Sequence, residues 1–226
     1  MAGIGALNET PFHAALKAIV APPGACFEVV VDGYVIDVVA AGLLIEVQTR
    51  HVGKMRLKLE RLLAHHRVRL VLPVSEERWI VKRGVDGPGR RRRSPKRGGV
   101  AHALFELVAI PKLLDHPNLE IEVVVVREEE EREYRPGAAW RKRGWVTVDR
   151  RLLGIGERRL FRGARAWLEL LPADLPPTFT TLDLVRALGV TRSIAQRAAY
   201  VLRESGAVAC IGTKERSRLY VRTPGT

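Results

Sequence analysis

Hydrophobic and polar positions follow two different rhythms along this chain. From Phe27 to Thr49, three runs rich in Val, Ile and Leu are separated by Asp32-Gly33 and by Ala41-Gly42. Asp-Gly between β-branched runs is a hairpin signal, because glycine accepts the positive φ of a tight turn. The pattern predicts three consecutive strands, over 27–31, 34–40 and 43–49. Ahead of them, Asn8 or Thr10 can cap a first helix that has Pro11 near its start. Its apolar stripe is Phe12, Ala15, Leu16, Ile19 and Val20, and Pro22-Pro23-Gly24 ends it. Behind the strands, His51–Arg67 is helical in period. Met55, Leu59, Leu62 and Leu63 form one face, and Lys54, Lys58, Arg61 and His65 form another.

Val68–Val74 and Trp79–Lys82 are predicted strands. Between Gly84 and Gly99, Arg90 to Arg93, Lys96 and Arg97 stand among Gly, Ser and Pro, a composition expected to form a mobile basic loop. Val100–Leu114 is predicted helical, kinked or ended by Pro111. Leu119–Val126 is a strand, and the acid run Glu128–Glu131 reads as its solvated end. Alternating strands and helices make this an α/β sheet flanked by helices.

The rhythm changes after Tyr134. Residues 135–156 are rich in Arg, with Trp140 and Trp145 interleaved, and read as a basic linker between a domain at 1–134 and another at 157–226. Cations beside aromatic rings suit nucleic-acid contact; packing of the tryptophans between domains is the alternative. Helices are predicted over Phe161–Leu171, Thr181–Leu188 and Thr191–Ser205, with Thr caps and Gly189 and Gly206 as stops. Two β runs, Ala207–Ile211 and Arg218–Arg222, complete the chain.

Composition narrows the function. No apolar run approaches the ~20 residues of a membrane span, and the N-terminus has no signal-peptide pattern, so a cytoplasmic protein without a membrane partner is expected. Cys26 and Cys210 are too few and too far apart for a zinc cluster or a disulfide framework. Net charge is +13, concentrated after residue 134, where 18 basic residues face 7 acidic ones. Such a balance points to a polyanion, most simply nucleic acid.

Candidate chemistry lies in the hairpin region. Asp37, Glu46 and Gln48 interrupt apolar strands, and Glu46 and Gln48 share a face. Two carboxylates in so apolar a setting need a positive partner, for which Mg²⁺ or Mn²⁺ is suited. Asp37 followed by Glu46-Val47-Gln48, on a hairpin leading into a helix, resembles the core motif of the PD-(D/E)XK nuclease superfamily. The resemblance covers about residues 8–126. It departs in having Gln48 where Lys is usual and Ile36 where Pro precedes the Asp.

This resemblance implies a restriction-endonuclease-like mixed sheet and Mg²⁺-dependent cleavage of DNA. Asp37 and Glu46 would bind the metal and Gln48 would orient water. Lys54, or Lys58, would replace the missing motif lysine. Glu9 would be a third acidic ligand, although an acid in a helix's first turn is also favoured by the macrodipole. Arg92 and Arg93 of the basic loop would grip phosphates. The C-terminal stretch resembles a winged helix-turn-helix over about 161–222. Ile194, Ala198, Val201 and Leu202 would face its core. Arg192, Ser193, Gln196 and Arg197, with Lys214, Arg216 and Arg218 on the wing, would meet DNA. The alternatives are an inactive nuclease-like DNA-binding regulator and a structural subunit of a defence or repair complex. A homodimer is compatible with either.

Overall fold

The structure, a computed structural model, describes residues 10–84, 87–138 and 143–224. Asn8 and Glu9, candidates for a cap and a metal ligand, and Trp140 lie outside the described residues. A seven-stranded mixed sheet runs in the order β1 (Cys26–Val31), β2 (Tyr34–Ala40), β3 (Leu43–Val47), β4 (Arg67–Gly84), β6 (Leu119–Tyr134) and β7 (Trp145–Arg162). The remaining strand, β5 (Gly87–Arg93), pairs with the far end of β4. The contacts β3–β4 and β4–β6 are parallel and the others antiparallel.

Local chemistry sets the hairpins. Asp32 and Gly33 have φ of 49° and 78°, and Ala41 and Gly42 have 46° and 75°. Two successive left-handed residues close each two-residue turn and match the twist of the strands. The helix α1 (Pro11–Val20) starts at Thr10, whose hydroxyl accepts from the His13 N–H. It packs Phe12, Leu16 and Val20 on one face of the sheet, against Val38, Ile45 and Val71. The other face carries α2 (Arg56–Leu63) and α3 (Leu104–Leu107). Ile19, placed in the apolar stripe by its period, is exposed; Lys17 is buried in its stead and pairs with Glu28.

A smaller sheet of β8 (Thr178–Phe179), β10 (Ser217–Arg222) and β9 (Val208–Lys214) carries α4 (Thr181–Leu188) and α5 (Arg192–Glu204). Thr180 and Asp183 form a capping box at the start of α4, and Gly189, at φ 60°, ends it. Ile194, Ala198, Val201 and Leu202 of α5 are buried, as their period predicts. Their cluster is continuous with Leu104, Leu107 and Leu114 of the large sheet's side.

Five expectations need correction. The basic stretch after Gly84 is no loop over 87–93: it is β5, because Arg91 pairs with Glu129 at 2.6 Å and lies over Trp79, and Arg93 pairs with Glu77 at 2.9 Å. The two strands predicted at 68–74 and 79–82 are one strand, β4, with a register shift between Ser75 and Glu77. Residues 145–162 are no linker: they form β7, antiparallel to β6, and Trp145 packs beside Tyr134 under the Lys82 ammonium.

The acid run is not solvated either. Glu128 and Glu130 are 0% and 1% exposed. Glu128 accepts from Arg78 at 2.6 Å and Arg150 at 2.8 Å, and Glu130 from Arg132 at 2.9 Å. Finally, the predicted helices 100–114 and 161–171 are mainly 3-10 turns. Pro111 opens the last turn of the first, and Phe161 belongs to β7, stacked 3.9 Å from Trp167.

Candidate active-site cluster and the adjoining basic cavity

Asp37 marks a reversal in β2. Ile36 joins the core on the α2 side and Val38 the core on the α1 side, although residues two apart in a regular strand share a face. Opposite Asp37, between the pairs Phe27↔Val38 and Val29↔Ile36, stands Glu28 with a left-handed φ of 54°. The strand turns over there, and the Asp37 carboxylate is drawn to the end of β3. It accepts the Val47 N–H at 2.8 Å and lies 3.4 Å from His13 Nε2 on α1. Burial alone would raise its pKa; the bonds from His13 and Val47, with the charges of His13 and Lys17, outweigh that and leave it below the ordinary aspartate value.

Glu46, 5% exposed, is drawn to the other helix. Lys58 Nζ on α2 reaches its Oε1 at 2.7 Å and donates a second bond, also 2.7 Å, to the Val35 carbonyl. Burial nevertheless dominates and pushes the Glu46 carboxyl up to about 7, with the nearby Asp37 charge adding to the rise. Two neighbouring carboxyls are thus split, one firmly ionised and the other poised near neutrality. Lys54 has a different place from the one expected: it is exposed in the 3-10 turn Val52–Met55, ahead of α2, while Lys58 holds Glu46.

Asp37 Oδ2 and the Val47 carbonyl both meet His13 Nε2, the latter at 2.8 Å. These are hard oxygens of the kind magnesium takes, as are those of Glu46, but Asp37 and the Val47 carbonyl meet His13 on α1 while Glu46 meets Lys58 on α2, on the other face of the sheet. Among the described residues no group of three or more His, Cys, Asp or Glu side chains is placed to hold a metal ion. Gln48 turns away from both carboxylates and donates to the Arg50 carbonyl.

Beyond Gln48 lies a cavity of about 800 Å³. Its origin is a notch in the sheet. The Gln48 N–H bonds the Val71 carbonyl at 2.9 Å, and the Ser94 N–H bonds the Arg78 carbonyl at 2.7 Å. Between those two points β4 has neither β3 nor β5 beside it. Residue 73 faces the same side as residue 71, so Pro73, which has no N–H to leave unpaired, suits that edge. Gln48, Arg50 and Arg92 line the cavity, with Arg132 and Arg150 from β6 and β7 and Ile194 from α5. Sequence reasoning missed it, since only the fold brings these segments together.

The C-terminal candidates separate into two groups. Arg192 and Gln196 line a hollow of about 270 Å³ with Tyr200, Arg216 and Arg218. Ser193 and Lys214 are exposed on the same two elements. Arg197 does not join them: its guanidinium lies 3.6 Å from the Phe105 ring, within the contact between α5 and α3. Arg93 is likewise engaged by Glu77, whereas Arg92 is exposed.

A protein-family model described as a domain of unknown function, DUF8091, matches residues 10–162, the span from the cap of α1 to the last residue of β7. An uncharacterized protein of Treponema pallidum (strain Nichols) is 33% identical over 225 residues, covering 98% of this chain and 88% of that one. No solved structure gives a significant match. The extent of the family match, across the whole large sheet, shows that the chain belongs to the DUF8091 family.

Proposed function

We propose that this protein is a DNA-acting hydrolase with a PD-(D/E)XK-like site at Asp37, Glu46 and Lys58. The observation that carries the reading is the Lys58–Glu46 contact at 2.7 Å beside Asp37, because it supplies from α2 the positive group that Gln48 cannot. Magnesium, when held by Asp37, Glu46 and the Val47 carbonyl, would polarise the phosphate and activate water. Asp37, firmly ionised, keeps a fixed negative charge at the end of β3. Glu46, pushed up by burial in the metal-free protein, would be held ionised once it served as a ligand of the cation. Lys58 holds Glu46 in place and offers positive charge to a phosphate oxygen. The C-terminal unit serves as a winged-helix module that binds duplex DNA through Arg192, Arg216 and Arg218.

The test is Mn²⁺- or Mg²⁺-dependent cleavage of plasmid DNA by the parent and by Asp37→Ala. Cleavage that needs the metal and vanishes in the variant, with the far-ultraviolet dichroism unchanged, is the expected result. Undiminished cleavage by Asp37→Ala would place the activity elsewhere. A second reading, a DNA-binding protein without hydrolysis, is favoured by one observation: His13 and Lys58 already satisfy the two carboxylates. No cleavage on single- or double-stranded DNA with either metal, together with tight binding, would select it.

A further inference from the structure

We infer that the notch cavity beside β4 is a binding site for a nucleotide carrying two or more phosphates. The inference is independent of hydrolysis at Asp37 and Glu46. Charge is the first argument. The inner arginines of the cavity, Arg78, Arg132 and Arg150, are each held by Glu128 or Glu130. Arg50 and, four residues apart on one stretch, Arg92 and Lys96, all exposed, are not: among the described residues no carboxylate lies within ion-pair distance of them. Against these three cations the cavity sets one further carboxylate, Glu106, which accepts the His51 N–H, so the balance at its mouth is positive and favours an anion. His102, on the same wall, is pushed below its ordinary pKa by burial and is neutral at physiological pH.

The second argument is shape and polarity. A volume of about 800 Å³ lies within the ~300–1,000 Å³ typical of small-molecule sites. Leu72, Val74, Ile80, Ala103 and Ile194 supply an apolar wall for a base. Pro73, on the open edge of β4, offers a carbonyl and no N–H, a partner for an exocyclic amino group. Ser75 and Ser94 add hydroxyls. The segment Ser94–Gly99 lies tight against the strand: a Cβ at Gly98 would come 2.6 Å from the Ser75 carbonyl. That close approach holds the end of the segment on β4 itself. Three cations against the single carboxylate of Glu106 suit a ligand with several phosphates better than a neutral nucleoside.

The full chain should be titrated calorimetrically with ATP, and with adenosine as the uncharged control, at ionic strength of about 0.15 M. ATP should bind saturably, and adenosine at least about tenfold more weakly, as expected when charge-assisted bonds are lost. Arg92→Ala combined with Lys96→Ala should weaken ATP about tenfold or more. Arg56→Ala, a basic change on α2 away from the cavity, should not. Lys58→Ala should lose cleavage and keep ATP binding, so failure at one site is distinguishable from failure at the other. No saturable binding at millimolar ATP would overturn the inference. So would equal loss in Arg56→Ala, which would mean general attraction to a basic surface. Binding of a single-stranded oligonucleotide that needs Arg92 and Lys96, without ATP binding, would also overturn it and make the cavity a strand path.

Discussion

The Lys58 ammonium lies 2.7 Å from the buried Glu46 carboxylate, and the contact joins α2 to β3. Lys54 comes six positions after Gln48 and Lys58 ten, yet the farther lysine arrives. The chain between β3 and α2 spends residues 52–55 on a 3-10 turn, which leaves Lys54 on the outside. Lys58 stands within α2 and faces the strand. Under the hydrolase reading, Lys58→Ala should lower the cleavage rate at saturating DNA by more than about tenfold, the scale of one lost stabiliser of developing charge. Lys54→Ala should stay within about twofold of the parent. Equal, small effects would leave this face of α2 as structure only.

Glu46 also makes a prediction about stability. Its folded pKa, about 7, lies above the ordinary 4.5, so the folded state binds more protons than the unfolded one between those values. Stability contributed by this group is therefore full at low pH and falls as pH rises from about 4.5 to 7. Glu46→Gln mimics the protonated acid and removes that loss. Urea unfolding should find the variant close to the parent at pH 5 and more stable at pH 8, by up to about 3 kcal/mol. A variant relatively weaker at pH 8 would show that the Lys58 attraction, not burial, controls this carboxyl.

The hairpins, α1 and the periodic face of α5 were legible because each is decided within a few residues. Asp32-Gly33 closes its turn whatever surrounds it, and Thr10 caps α1 with its own hydroxyl. The long strands were not legible, because their charges are cancelled by residues distant in sequence. Glu128 looks solvated until Arg78 and Arg150, 50 and 22 residues away, are laid beside it. The same cancellation hides β5, whose arginines suggest a loop when read alone. Of the candidate site, the two carboxylates at 37 and 46 could be singled out from the apolar strands around them. The turning over of β2 at Asp37 and the contact of Lys58, not Lys54, with Glu46 were not, since both depend on packing between the sheet and its helices.

The strand arginines give a graded test of burial. Glu128 is fully buried between Arg78 and Arg150, so Glu128→Ala leaves charges without their partner in a desolvated place. It should cost about 3–5 kcal/mol. Glu129, on the next residue, pairs with Arg91 near the surface, and Glu129→Ala should cost less than about 1 kcal/mol. Denaturation in low and high salt checks the physics: the Glu129 effect should shrink with salt and the Glu128 effect should not. Similar costs for both would mean that water reaches Glu128.

The last prediction separates the two groups of C-terminal arginines. Arg192, Arg216 and Arg218 line one hollow between α5 and the β9–β10 hairpin, whereas Arg197 is spent on the Phe105 ring. If this unit binds duplex DNA, each phosphate contact releases counterions and steepens the salt dependence by about 0.9 in log–log slope. Arg192→Ala combined with Arg216→Ala should therefore reduce the slope for the full chain by about 2, with weaker binding at low salt. Arg197→Ala should leave the slope unchanged and lower the melting temperature, because it removes a cation–π contact between α5 and α3. Fluorescence anisotropy with a labelled duplex at several salt concentrations reads the first effect, and thermal melting reads the second. A slope that falls with Arg197 and not with Arg192 and Arg216 would put the DNA on the α3 side of the helix, beside the notch cavity.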